Sequence, residues 1–295
     1  MHPLYYTALL LLSPFLTLFT PITATATPTP SKPAVILVPG AFHRAKVYDH
    51  VKSLLKSSGY QHVDAVDLPS VGPLAAHVDR TPDIAVVRGL LLARLAQGKD
   101  VVLVGNSYGA TVIGEAVKGL KGRSVTATPP PAAGGKILGI IMLSGFIPYT
   151  TEVSIPNSRP DIRALSPPYF LFTPPAPSSP LLVTPFALPT TSPPSQTFYN
   201  LLPASSASYW TSQLLPSSFA ALNATATYIP YNGDFRCLYV VGLRDNAIPP
   251  AFAESWLGQS GAVWERVVLD ADHVPMLSRG EETVEVIRRF VGEAV

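Results

Sequence analysis

A single cysteine, Cys237, leaves the 295-residue chain no intrachain disulfide and no cysteine-built metal cluster. Charge is scarce as well. Asp, Glu, Lys and Arg make up 14% of the chain and nearly cancel at a formal +2, which offers little to nucleic acid or to an acidic surface. The six histidines show no H-E-x-x-H or other metal-site spacing, so no metal is expected. No strand-like run leads into G-x-G-x-x-G, which removes a dinucleotide, and no other cofactor is called for. From Ala164 to Gly233, 70 residues contain no Asp, Glu, Lys, Arg or His.

Hydrophobic residues are plentiful, at 47%, enough for one large α/β domain or two small ones. The first 26 residues read as a signal peptide: Leu4 to Phe19 is apolar, and Ala24-Thr25-Ala26 resembles a cleavage site, although Lys and Arg are missing ahead of the run. Pro14 and a run shorter than about 18 residues argue against a spanning anchor. The mature chain is therefore expected to be secreted, with no stable membrane span, and residues 27–33 form a flexible Thr/Pro linker. Asn223-Ala224-Thr225 is a glycosylation sequon that suits this route. Cys237, at the start of a strand-like run, reads as a buried small hydrophobe.

Short apolar runs at Ala34 to Val38, His62 to Leu68, Val101 to Val104, Ile137 to Leu143, Cys237 to Val241 and Val263 to Leu269 read as strands. Helical spacing appears at Val47 to Leu55, Pro82 to Leu95, Thr111 to Val117, around Phe252 to Leu257 and at Glu281 to Val291. The alternation predicts an α/β fold with a mostly parallel, doubly wound sheet and right-handed crossovers. Between Phe146 and Phe235 no strand is expected, and 14 of the 32 prolines fall between Ile147 and Pro203. We therefore divide the core into residues 34–146 and 236–295, with 147–235 an inserted Pro-rich lid. Its Pro/Ser-rich first half reads as a mobile loop, its aromatic second half as packed structure, and its lack of charge suits an apolar pocket.

The chemistry centres on Gly105-Asn106-Ser107-Tyr108-Gly109, a G-x-S-x-G turn between strand and helix. Gly105 and Gly109 allow the two backbones to cross closely, and the helix N-terminus favours negative charge beside Ser107. A nucleophilic serine needs a base, and the base needs a carboxylate. Only one histidine follows Ser107, namely His273, just after the last strand. Of the nine carboxylates between them, Asp245 lies on a loop at a strand's carboxyl end and is preferred, with Asp234 in reserve. Asp270 and Asp272 sit too close to His273 in sequence to orient its ring easily. The Tyr108 N–H is one expected oxyanion donor, and the Ala41 N–H, on a loop that Gly40 allows to approach, is the other. His43 either steadies that loop through a hydrogen bond or begins a helix.

Five segments, V-P-G-A-F-H (Val38 to His43), D-L-P-S (Asp67 to Ser70), G-N-S-Y-G, D-N-A-I-P (Asp245 to Pro249) and D-H-V-P-M (Asp272 to Met276), together resemble the alpha/beta-hydrolase superfamily. The pattern is most similar to the group of plant methyl-ester esterases and hydroxynitrile lyases with their fungal homologues. The resemblance implies nucleophile, acid and base roles for Ser107, Asp245 and His273. Hydroxynitrile lyases of this kind place a threonine and a lysine where Gly40 and Val274 stand, which disfavours cyanohydrin cleavage. A serine at the elbow likewise disfavours the aspartate chemistry of related dehalogenases and epoxide hydrolases. The expected function is a cofactor-independent serine hydrolase for a small apolar ester or lactone. The alternatives are a non-hydrolytic cyclase or lyase of secondary metabolism on the same scaffold, or a non-catalytic ligand binder.

Overall fold

The computed structural model describes residues 32–121, 134–155, 158–159, 161–164, 167–176, 179–185 and 192–295. The expected signal peptide and most of the Thr/Pro linker lie outside the described residues. Six strands form one parallel sheet: β1 (Ala34–Val38), β2 (Val63–Ala65), β3 (Val101–Asn106), β4 (Ile137–Leu143), β8 (Cys237–Gly242) and β9 (Glu265–Leu269). Their order across the sheet is β2-β1-β3-β4-β8-β9. Strands β1, β3 and β8 are buried at every residue, as continuous apolar runs should be when helices cover both faces. Cys237 is buried at the start of β8, where desolvation pushes its thiol pKa up.

The helices between these strands are α1 (Asp49–Ser57), α2 (Thr81–Ala96), α3 (Tyr108–Ala116) and α8 (Pro250–Leu257), and α10 (Gly280–Phe290) closes the chain. Helix α2 opens with Pro82 and Asp83 in its first turn and buries Val87, Leu91 and Leu95 along one face. Helix α10 carries Glu281 and Glu282 in its first turn and Arg288 and Arg289 in its last, matching the helix dipole. From β1 the chain steps outward to β2, then crosses back to β3 and continues to β4, β8 and β9. With right-handed crossovers α1 lies on one face and α2, α3 and α8 on the other. The direction of winding changes between β1 and β3, and a crevice opens there outside the carboxyl ends of the strands.

The segment between β4 and β8 departs from expectation. It contains a second, antiparallel sheet made of β5 (Leu171–Thr173), β6 (Leu182–Thr184) and β7 (Ser217–Ser218). Strands of two or three residues are too short to show an alternating pattern, so none was expected there. Helices α4 (Thr150–Ser154), α5 (Pro194–Thr197), α6 (Ala204–Ser212) and α7 (Phe219–Asn223) complete the segment, and α9 (Pro275–Ser278) precedes α10. Phe198, Tyr199 and Leu222 are buried in the main core, as the aromatic and leucine content of this half suggests. No helix among the described residues is long and apolar enough to cross a membrane.

Candidate active site

Ser107 lies between β3 and α3 with φ 49° and ψ −125°, a left-handed strained conformation for a residue with a side chain. Both flanking glycines are required there. A Cβ on Gly105 would lie 2.6 Å from the Gly109 carbonyl oxygen, and one on Gly109 would lie 2.5 Å from the Val38 and Pro39 oxygens. The strained turn is held by its neighbours: the Ser107 N–H donates to Leu143 O at 3.1 Å, and Ser107 O accepts from the Phe146 N–H at 2.9 Å. Asn106 ties this turn to the opposite loop, its Nδ2 donating to Leu143 O at 3.0 Å and to His273 O at 2.9 Å.

His273 follows β9 and Asp245 follows β8, and both are buried. His273 Nδ1 lies 2.9 Å from Asp245 Oδ2 and 3.1 Å from Oδ1. Asp245 Oδ1 also accepts from the Ala247 and Ile248 N–H groups, each at 2.8 Å, which fixes the carboxylate plane. A carboxylate at Nδ1 sets the tautomer and leaves Nε2 as the acceptor. The reserve candidate, Asp234, is elsewhere: Lys121 Nζ, Tyr228 Oη and Asn232 Nδ2 take its carboxylate, and it does not touch the ring. Asp270 pairs with Arg244 and Arg279 in solvent. Asp272 accepts from the Val274 N–H, Ser278 Oγ and the Leu201 N–H, so it shapes the histidine loop without touching the ring. Burial raises its pKa.

Gly40 brings the loop after β1 against the serine, since a Cβ there would lie 2.8 Å from Ser107 Cβ. The peptide joining Ala41 to Phe42 is clamped at both ends. Its carbonyl oxygen meets His43 Nδ1 at 2.7 Å, and its N–H donates to Ser217 Oγ at 2.8 Å. Phe42 takes a positive φ of 69°, and its own carbonyl accepts from the Leu215 N–H. The Ala41 N–H belongs to the preceding peptide, adjacent to this clamp, and has no acceptor among the described residues. The Tyr108 N–H belongs to the first turn of α3, whose donors have no intrahelical partner. His43 precedes the 3-10 turn at Ala45–Tyr48 and supports the loop, so of its two readings the hydrogen-bonding one holds. Its Nε2 lies 2.7 Å from Tyr199 Oη, and burial lowers its pKa to about 4, with the charge of nearby His273 acting in the same direction. A neutral ring donates from Nδ1 to Ala41 O and accepts the Tyr199 hydroxyl at Nε2.

Ser107, His273, Ala41 and Tyr108 all line one cavity of about 120 Å³, against the roughly 10–15 Å³ that a single water needs. Aromatic side chains, including Phe42, Phe146, Tyr169, Phe198 and Trp256, make a large part of its wall. Ser107 Oγ makes no hydrogen bond among the described residues, and catalytic hydrogen bonds commonly close only when substrate binds. Asn223 ends α7 partly buried, and its Oδ1 accepts from the Ile162 N–H at 2.9 Å.

Four features escaped sequence reasoning: Ser217, Tyr199, and two buried ion pairs. Arg80 Nη1 donates to Glu115 Oε2 at 2.8 Å, and Arg159 Nη1 to Glu152 Oε2 at 3.0 Å. The charge-free stretch does contribute apolar wall, but Glu152 and Arg159, just ahead of it, also line the cavity. The one available signal is that these two residues lie among the last charges ahead of an uncharged stretch.

A family model described as "Alpha/beta hydrolase family" matches residues 35–286. Alpha/beta hydrolase nvfD of Aspergillus novofumigatus is 26% identical over 270 residues, covering 90% of this chain and 98% of that protein. Among solved structures, polyneuridine aldehyde esterase aligns with a TM-score of 0.65 at 18% identity, covering 88% of this chain and 100% of its own. Tomato methylketone synthase I complexed with 2-tridecanone gives 0.66 at 20% identity, with coverage of 88% and 98%. The methylesterase MES16 from Arabidopsis gives 0.62 at 19%, with coverage of 88% and 99%. At these identities the structures share the fold.

Proposed function

The chain belongs to the alpha/beta hydrolase family, and from that premise we propose that it is a serine hydrolase cleaving a small carboxylic ester or lactone with an apolar part. Ser107 attacks the carbonyl while His273 Nε2 takes its proton. Asp245 stabilises the imidazolium through Nδ1, and the Ala41 and Tyr108 N–H groups receive the oxyanion. His273 returns the proton to the leaving alkoxide, and water, activated by the same ring, cleaves the acyl-enzyme. The observation that carries this reading is the buried His273–Asp245 pair opening on the cavity that Ser107 also lines. The esterase names among the structural neighbours point the same way.

Ser107→Ala tests it: hydrolysis of short p-nitrophenyl esters falls by roughly 10⁴-fold or more, with the far-UV spectrum unchanged. Unchanged turnover refutes the mechanism. A second reading, a non-hydrolytic lyase or cyclase, draws on the absence of a hydrogen bond from Ser107 Oγ among the described residues. A fluorophosphonate probe separates the two, because only an activated serine forms a stable adduct at Ser107. We also propose that the chain is exported and trimmed after residue 26, so the N-terminus of the secreted protein should begin at Thr27. A glycan on Asn223 attaches at Nδ2 and leaves the Oδ1 bond to Ile162 intact.

A further inference from the structure

One arginine lines the largely apolar cavity, and its hydrogen-bonding capacity is only partly used. Arg159 has a side-chain exposure of 6%, and that of its partner Glu152 is 3%. The Glu152 carboxylate takes three donors: Oε1 accepts from the Tyr149 N–H at 3.1 Å, and Oε2 from the Ala226 N–H at 3.3 Å and from Arg159 Nη1. Arg159 is less well matched. Nη1 serves Glu152, Nη2 donates to Leu222 O at 2.8 Å, and Nε has no acceptor among the described residues. The guanidinium lies 5.7 Å from the Phe146 ring centroid, and both side chains line the cavity. A guanidinium carries its N–H donors in a fixed fork, and partly desolvating a donor that has no acceptor is costly. An apolar residue of similar volume would fill this wall at lower cost.

We propose that Arg159 binds a second oxygen of the substrate, a neutral carbonyl or hydroxyl, besides the one that meets the oxyanion donors. Charge decides for a neutral group. Glu152 already balances Arg159, and the neighbouring Arg80–Glu115 pair balances itself. An added carboxylate would leave an uncompensated anion in a desolvated wall, whereas a neutral acceptor takes the free N–H donors without that penalty. The substrate class is therefore an oxygenated hydrocarbon ester or lactone carrying a second polar oxygen remote from the scissile carbonyl. The ester or lactone part rests on the function proposed above; the oxygen site at Arg159 does not.

The test uses the Ser107→Ala protein, which binds without turnover, and follows tryptophan fluorescence, since Trp256 lines the same cavity. The ligands are methyl decanoate and its mono-oxo isomers. At least one isomer should bind about ten-fold more tightly than the parent ester, the worth of one hydrogen bond to a charged group. Adding Glu152→Gln with Arg159→Met removes both charges together and should bring that ratio to within about two-fold. Arg159→Lys keeps the charge but loses the fork, giving an intermediate ratio, and it decides the matter if the paired variant does not fold. The assignment is overturned if no isomer outbinds methyl decanoate by more than about two-fold, or if the advantage survives these substitutions. Hydrolysis of the same esters by the unaltered protein is read separately. Selective binding without turnover refutes the hydrolase and leaves the Arg159 site standing.

Discussion

Replacing His43 by Gln should make the stability of the protein less sensitive to acid. His43 is buried, with its ring nitrogens committed to Ala41 O and Tyr199 Oη, and its pKa falls from 6.5 to about 4. Between those values the unfolded chain carries a proton on His43 that the folded protein does not. The unfolded state therefore binds more protons, and stability rises with pH across this window. The contribution is fully present above about pH 6.5 and is lost as the pH falls to about 4. Each pH unit in the window is worth about 1.4 kcal/mol, so the whole amounts to roughly 3 kcal/mol. Burial raises the pKa of Asp83 and Asp272 above 3.8, which gives the opposite dependence within the same window, but both groups are present in either protein and cancel in the difference. The assay is urea unfolding of the unaltered protein and of His43→Gln at several pH values between about 7.5 and 4. The difference between the two free energies should shrink by roughly 3 kcal/mol on acidification. Parallel curves would show that His43 titrates normally in the folded state and that the clamp on the Ala41 carbonyl is not held by a neutral ring.

Two further substitutions probe the same loop through activity. Ser217→Ala removes the acceptor for the buried Phe42 N–H, costing about 1–3 kcal/mol of stability; kcat on p-nitrophenyl esters should fall roughly ten-fold with little change in KM, as expected when the residue bearing the proposed oxyanion donor shifts with its neighbour. An unchanged kcat would show that Ala41 does not depend on this clamp. Gly40→Ala places a methyl 2.8 Å from Ser107 Cβ, so kcat should fall by about 10²-fold while thermal unfolding shows a folded protein, and fluorophosphonate labelling of Ser107 should slow in proportion.

The parts of this protein that were legible in its sequence are those whose signals are local. Strands β1, β3, β4 and β8 show as apolar runs because helices cover the sheet on both faces. The glycines of the serine turn show because a backbone crossing excludes any side chain, and the clashes of an added Cβ at Gly105 and Gly109 bear this out. Asp245 and His273 could be chosen because chain order and strand ends leave few places for them, and the structure sets their side chains 2.9 Å apart. The illegible parts are contacts over long separations. Ser217 and Phe42 are 175 residues apart, Tyr199 and His43 are 156 apart, and nothing in either local pattern announces the pairing. Glu152 and Arg159 are closer, but α4 ends at Ser154, so no helical spacing connects them. Strands β5 to β7 are too short to carry a period.

These long contacts change what the segment between β4 and β8 does. It contributes wall to the cavity, and it also braces three of the loops that carry the proposed chemistry. Ser217, Leu215 and Tyr199 fix the loop of Ala41 and His43. The Leu201 N–H donates to Asp272, beside His273, and Asn200 Nδ2 donates to Arg244 O, beside Asp245. A loop outside regular structure keeps its backbone freedom unless something else removes it, and here the restraint comes from a segment remote in sequence. Changes in this segment therefore also act on the loops that carry the proposed oxyanion donor and the proposed base. Tyr199 and Ser217 brace these loops without lining the cavity, so on the proposed mechanism a substitution at either should act on turnover, whereas one at Arg159, which lines the cavity and bonds to none of these loops, should act on substrate preference.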